Sequence, residues 1–132
     1  MIQKKLEINI KNYEKISRKY KIGERNGKGK EYLKYNGKLV YEGEYLNGKR
    51  NGKGKEYEDN GKLLFEGEYL NGERNGKGKE YKDNGKLLFD GEYLKGERNG
   101  KGKEYDYYGK LKFEGEYLNG KKWNGKGKEY KL

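Results

Sequence analysis

One phrase recurs through this chain at a fixed interval. From Tyr41 it reads YEGEYLNGKRNGKGKEYEDNGKLL, and near-copies begin at Phe65, Phe89 and Phe113. Gly43, Gly67, Gly91 and Gly115 fall 24 residues apart each time. A period between about 20 and 50 residues marks a repeat architecture, in which each unit is one supersecondary piece stacked on its neighbours. Such a chain presents a long regular surface, and a single catalytic pocket is not expected of it.

Composition by itself suggests disorder. Leu, Ile, Val and Phe make up 22 of 132 residues, and the net charge is +11. That combination is usual in unfolded chains. The 15 Tyr and the fixed register of the polar residues argue for a folded but thinly cored protein, since each aromatic ring buries a large area. With 132 residues, the chain is read as one repeat domain. It divides into a basic leader or cap (1–15), a degenerate repeat (16–40) and four clear repeats (41–64, 65–88, 89–112 and 113–132).

Within the unit from Lys62, the run Leu63–Leu70 alternates with period two. Leu63, Phe65, Gly67 and Tyr69 share one face, and Leu64, Glu66, Glu68 and Leu70 the other. The stretch 71–76 reads as a turn and Lys77–Tyr81 as a second strand, and Asn84-Gly85 reads as a two-residue hairpin turn. The expected fold is all-β: an elongated, single-layer antiparallel meander of tandem β-hairpin repeats, about ten to eleven strands in all. The proposed register pairs Lys79 with Asp90 and Tyr81 with Leu88 on one side. On the other it sets Tyr69 opposite Gly78, Glu68 opposite Lys79 and Leu70 opposite Lys77. Rings then lie over glycines on one face, and lysines sit between acids on the other.

Tyr20–Tyr32 aligns without gaps on Tyr69–Tyr81, with Arg18 in place of the central glycine, as in a worn terminal repeat. Further upstream Leu6, Ile8 and Ile10 alternate as in a strand; a helix through Leu6, Ile10, Tyr13 and Tyr20 is the rival reading.

The run Phe65-Glu-Gly67-Glu-Tyr69-Leu-Asn-Gly72-Glu-Arg-Asn-Gly76-Lys-Gly78 resembles the MORN (membrane occupation and recognition nexus) repeat. The resemblance covers residues 16–132. It departs in carrying Tyr45, Tyr69, Tyr93 and Tyr117 where Trp or Phe is usual, and in an extra residue at Lys121-Lys122-Trp123. Its Asn-Gly-Lys-Leu and Glu-Tyr features are closest to the variant of bacteria and viruses, some of them antitoxin-like. The resemblance implies a twisted single-layer scaffold for tethering or assembly, with acidic lipid as one class of ligand.

Catalysis has little to work with. The chain contains no His and no Cys, so imidazole bases, thiolate nucleophiles and the usual zinc ligands are missing. Its acids recur beside lysines in nearly every unit, as solvated ion pairs do. The run Gly72–Gly78 has one residue too few between its glycines for a phosphate loop, and Gly follows the Lys where Ser or Thr must hold Mg²⁺. The chain is therefore read as non-enzymatic, with no cofactor and no metal.

Two surfaces remain. One is the aromatic row Tyr41, Tyr45, Phe65, Tyr69, Phe89, Tyr93, Phe113 and Tyr117. A single layer cannot bury both of its own faces, so this row needs covering by curvature, by a terminal element, by a second copy or by a partner. That makes it the expected docking face. The other is a lysine stripe of five pairs: Lys28/Lys30, Lys53/Lys55, Lys77/Lys79, Lys101/Lys103 and Lys126/Lys128. It is a candidate for anions or lipid headgroups unless Glu44, Glu68, Glu92 and Glu116 neutralise it.

The expected function is a protein–protein interaction scaffold, whose partner is a protein, a peptide or a second copy of the chain. The alternatives are peripheral attachment to acidic phospholipid through the stripe and the basic leader, and an antitoxin-like immunity partner. The near-balance of charge within the array disfavours nucleic acid. No apolar run is long enough for a signal peptide or a membrane-spanning helix, which points to the cytoplasm, with peripheral membrane contact as the variant.

Overall fold

The computed structural model describes residues 19–23 and 25–130, and the side chains of all of these except 124–126. The reading of the leader as strand or helix lies outside the described residues. Within them the fold is one open sheet of ten antiparallel strands in chain order. These are β1 (Lys19–Gly23), β2 (Gly27–Leu33), β3 (Leu39–Leu46), β4 (Lys49–Tyr57) and β5 (Leu63–Leu70). They continue with β6 (Glu73–Tyr81), β7 (Leu87–Leu94), β8 (Glu97–Tyr105), β9 (Leu111–Leu118) and β10 (Lys121–Glu129).

Three rows cross the sheet at right angles to the strands. The central row is glycine on every strand: Gly23, Gly29, Gly43, Gly54, Gly67, Gly78, Gly91, Gly102, Gly115 and Gly127 pair in sequence. Two residues to one side, on the same face, aromatic residues alternate with glutamates: Glu31, Tyr41, Glu56, Phe65, Glu80, Phe89, Glu104, Phe113 and Glu129. Strand alternation places the charged row Lys30, Glu42, Lys55, Glu66, Lys79, Asp90, Lys103, Glu114 and Lys128 on the opposite face.

The two kinds of turn exchange the roles expected of them. Asn71 (φ 50°) and Gly72 (φ 90°) both lie in the left-handed region, and Leu70 pairs with Glu73 across them. That is a two-residue type I′ turn, whose twist suits a hairpin. The stretch 71–76 is thus no loop. β6 starts at Glu73, and Asn75-Gly76 forms a bulge inside the strand, with Gly76 at φ 99°. Asn84-Gly85, in contrast, ends a three-residue loop. Gly85 N–H donates to Lys82 O and Lys82 N–H to Lys86 O, both at 2.9 Å.

The register shifts accordingly. Lys79 does pair with Asp90, but Tyr81 pairs with Leu87 rather than Leu88, because the longer loop is absorbed by a bulge at Glu80/Tyr81. On the other side Tyr69 faces Arg74, Gly78 faces Gly67 and Lys79 faces Glu66. Tyr69 is therefore not opposite Gly78, nor Glu68 opposite Lys79, nor Leu70 opposite Lys77. The residues inserted at the Asn75-Gly76 bulge move that pairing by two, which preserves the faces.

Candidate functional site: a lysine groove backed by a sealed aromatic row

The eight predicted aromatic residues are brought together, and they form the core of the chain. Tyr41, Phe65 and Phe89 have no exposed surface, and the other five are 3–6% exposed. Edge-to-face contacts join all eight into one zigzag, with centroids 5.1–5.7 Å apart. The glycine row makes this possible. A Cβ on Gly78 would stand 2.5 Å from Phe65 Cζ and 3.0 Å from Tyr93 Cε1, so the rings rest directly on backbone.

The cover over the rings comes from the chain itself. Arg50, Arg74 and Arg98 lie over Tyr41, Phe65 and Phe89, with guanidinium carbons 4.0–4.2 Å from the ring centres. Each Arg also donates through Nε at 2.8 Å to a glutamate of the preceding repeat: Glu31, Glu56 or Glu80. The same glutamates accept the hydroxyls of Tyr45, Tyr69 and Tyr93. In the last repeat Lys122 takes the Arg position, 4.6 Å from the Phe113 ring centre and 3.4 Å from Glu104.

Burial alone would raise the pKa of Glu31, Glu56 and Glu80, but the guanidinium hydrogen bonds and charges overcome it and hold all three below the ordinary value. Burial pushes Tyr41 up to about 12. The cover that the aromatic row was expected to take from curvature, a terminal element, a second copy or a partner is supplied by side chains of the neighbouring strands. Arg and Glu side chains seal it, and its rings are not available for direct contact in the folded chain.

The arginines were missed because they sit in Arg-Asn-Gly runs that read as loop. Their signal was there, since Arg50, Arg74 and Arg98 recur at the repeat interval.

The lysine pairs are on the opposite face, which is concave. Residues of seven consecutive strands, β1 to β7, line a groove of about 1040 Å³ there, with glycine backbone in its walls. Six lysines line it (Lys28, Lys30, Lys53, Lys55, Lys77 and Lys79) against four acids (Glu42, Glu66, Glu68 and Asp90). Lys101, Lys103 and Lys128 continue the same face beyond it, and the side chain of Lys126 is outside the described residues.

The sequence leaves open whether Glu44, Glu68, Glu92 and Glu116 neutralise these lysines by ion pairing across the strands. Several of them hold other partners instead. Glu44, Glu68 and Glu92 accept the backbone N–H of Lys53, Lys77 and Lys101 at 2.6, 2.7 and 3.3 Å, which satisfies the donors that the bulges free from the ladder. Glu42 and Glu66 accept the hydroxyls of Tyr57 and Tyr81 at 2.6 and 2.8 Å. Among the described residues, Lys103–Glu114 at 3.8 Å is the one ion pair within 4 Å on these rows.

The MORN repeat model matches residues 19–34, 41–62, 65–86 and 89–107, together more than half of the chain. The chain belongs to the MORN repeat family. MORN repeats commonly mediate interactions with proteins or membrane lipids, and the family is generally non-enzymatic. No curated protein matches the chain. Among solved structures it is similar to one titled "Crystal Structure of TarM". That match is 13% identical with a TM-score of 0.51, and covers 92% of this chain and 24% of the other. The MORN array thus spans about a quarter of that protein's length, and at this identity the likeness concerns the fold alone. Among the described residues no helix is long and apolar enough to cross a membrane, and no cluster of His, Cys, Asp or Glu is arranged to hold a metal ion.

Proposed function

We propose that this MORN array is a non-enzymatic protein-interaction scaffold whose contact surface is the concave lysine groove. The observation that carries this reading is the unequal pairing inside the groove. Glu42, Glu66 and Glu68 already hold a tyrosine hydroxyl or a backbone N–H. The six lysines of the groove are exposed and make no ion pair within 4 Å among the described residues. Solvated ammonium groups in a concavity attract acidic groups at little desolvation cost.

The concavity also discriminates between partners. A planar bilayer meets the two rims of such a face before its floor, whereas a protein segment can enter it. The acids that alternate with the lysines oppose a continuous polyanion such as nucleic acid.

Lys53→Gln, Lys55→Gln, Lys77→Gln and Lys79→Gln together remove four charges from exposed positions. In a pull-down from its native cells, the variant should lose partners that the wild type retains. A control with Lys38→Gln and Lys86→Gln at the turns should keep them. An unchanged partner set from the groove variant, with the sheet intact by circular dichroism, would overturn the reading. Flotation with acidic vesicles, run in parallel, shows whether lipid takes the place of protein.

A further inference from the structure

We infer that the occupant of the groove is an α-helix of a partner protein, carrying acidic residues at heptad spacing with basic residues midway between them. This rests on the reading of the groove as the contact surface, and derives from the spacing of its charges.

In the charged row Lys30, Lys55 and Lys79 stand on alternate strands, with Glu42, Glu66 and Asp90 on the strands between or beyond them. The pairs Lys28/Glu44, Lys53/Glu68 and Lys77/Glu92 repeat the order one step along. Strands lie about 4.8 Å apart, so like charges recur every ~9.6 Å along the groove and opposite charges every ~4.8 Å. Three lysines of one row span about 19 Å.

Backbone geometry decides what can match that ruler. A helix rises 1.5 Å per residue, so positions i and i+7 lie ~10.5 Å apart on one face, with i+3 or i+4 about 5 Å between them. Over three lysines the mismatch accumulates to about 2 Å, within the swing of a four-carbon lysine stem. An extended strand lying along the groove repeats its facing side chains every ~6.7 Å. Over the same span it is wrong by about 6 Å, and taking every second facing residue gives about 8 Å in the other direction. Polyproline II places every third residue ~9.3 Å on, but the two residues between point elsewhere, so nothing meets the groove's acids. The helix alone sets acid over lysine and base over acid in one alternation. Its excess charge should be negative, since six lysines of the groove face four acids.

The test uses four fluorescein-labelled peptides of about 21 residues and the full chain. The first carries Glu at heptad spacing and Lys midway, in an Ala/Gln background of good helix propensity. The second has the same composition with Glu and Lys at strand spacing. The third is the first with two central prolines. The fourth is Pro-rich with Glu at every third residue. Fluorescence polarisation at about 50 mM salt should give saturable binding of the first, at least tenfold tighter than the other three. The first should also weaken at least tenfold against the four-lysine variant.

Equal binding of the first and second, or of the first and third, would overturn the helix and leave an acid-seeking groove. Preference for the fourth would replace the helix with polyproline II. If no peptide binds while the four-lysine variant still loses its cellular partners, the helix inference falls alone. If the variant keeps its partners as well, both readings fall.

Discussion

The guanidinium carbon of Arg74 lies 4.0 Å from the centre of the Phe65 ring, while its Nε donates to Glu56 at 2.8 Å. Phe65 belongs to β5, Arg74 to β6 and Glu56 to β4, so one side chain ties a hairpin to its own core ring and to the hairpin before it. Repetition of this contact closes the ring face without a second layer. That leaves the other face, the lysine groove, as the open one.

Removing the lid should therefore be costly. Arg74→Ala exposes Phe65 and leaves Glu56 without its cation, and breaking a mostly buried pair costs about 3 kcal/mol. The urea midpoint should fall clearly. Arg74→Met with Glu56→Gln should lose less than the sum of the two single changes, because neither partner is then left charged and alone. Additive losses would show that the pair is not coupled.

The glycines separate into two kinds. Gly78→Ala drives a methyl to within 2.5 Å of Phe65 Cζ and should destabilise by about 3 kcal/mol, at the upper end for overpacking. Gly85 has nothing within 4 Å but sits at φ +81°, so Gly85→Ala carries only the left-handed backbone cost of about 1 kcal/mol. Denaturation of both variants gives the order, and a larger loss at Gly85 would contradict the packing account.

One turn is mismatched to its conformation. Asn47, Asn71 and Asn119 hold the first left-handed position of their type I′ turns, while Lys95 holds the same position at φ 49°. Asparagine tolerates that region better than lysine. Lys95→Asn should raise stability by about 0.5 kcal/mol, visible as a higher urea midpoint with no change in the circular dichroism spectrum.

How far the sequence reveals this arrangement depends on which residues are asked. The two faces follow from alternation over Leu63–Leu70, and the need for rings over backbone follows from glycine in every strand. The turns are harder. Asn-Gly occurs three times in the unit, at Asn71-Gly72, Asn75-Gly76 and Asn84-Gly85. The three become a type I′ turn, a bulge and the end of a three-residue loop. The dipeptide tolerates positive φ in all three settings, so it marks where the chain can bend without saying which bend forms. The covering arginines were hidden by the same ambiguity. Arg74 precedes Asn75-Gly76, and becomes a strand residue facing Tyr69 once that pair is a bulge. The lysine groove was legible as a stripe, but its concavity depends on the curvature of the whole sheet.

The fold should respond to pH from both ends, through the core and through the groove-face tyrosines Tyr57 and Tyr81. Glu31, Glu56 and Glu80 have folded pKa values below their unfolded ones. Their contribution is present above about pH 4.3 and is lost as pH falls through the folded values. Tyr41, Tyr57 and Tyr81 are raised to about 12, so their contribution is present below about pH 10 and is lost between there and pH 12. Absorbance titration at the phenolate band should show a late-ionising group of tyrosines, released at lower pH by denaturant. A single step near pH 10 would contradict the buried ring row.

The central claim, that the open working face is the lysine groove, is tested most directly by acetylation footprinting of the chain alone and bound to its captured partner, read residue by residue by mass spectrometry. Lys28, Lys30, Lys53, Lys55, Lys77 and Lys79 should be protected on binding, with Lys38, Lys62 and Lys86 at the turns unchanged. Protection confined to those turn lysines, with the six groove lysines reacting as in the free chain, would contradict it.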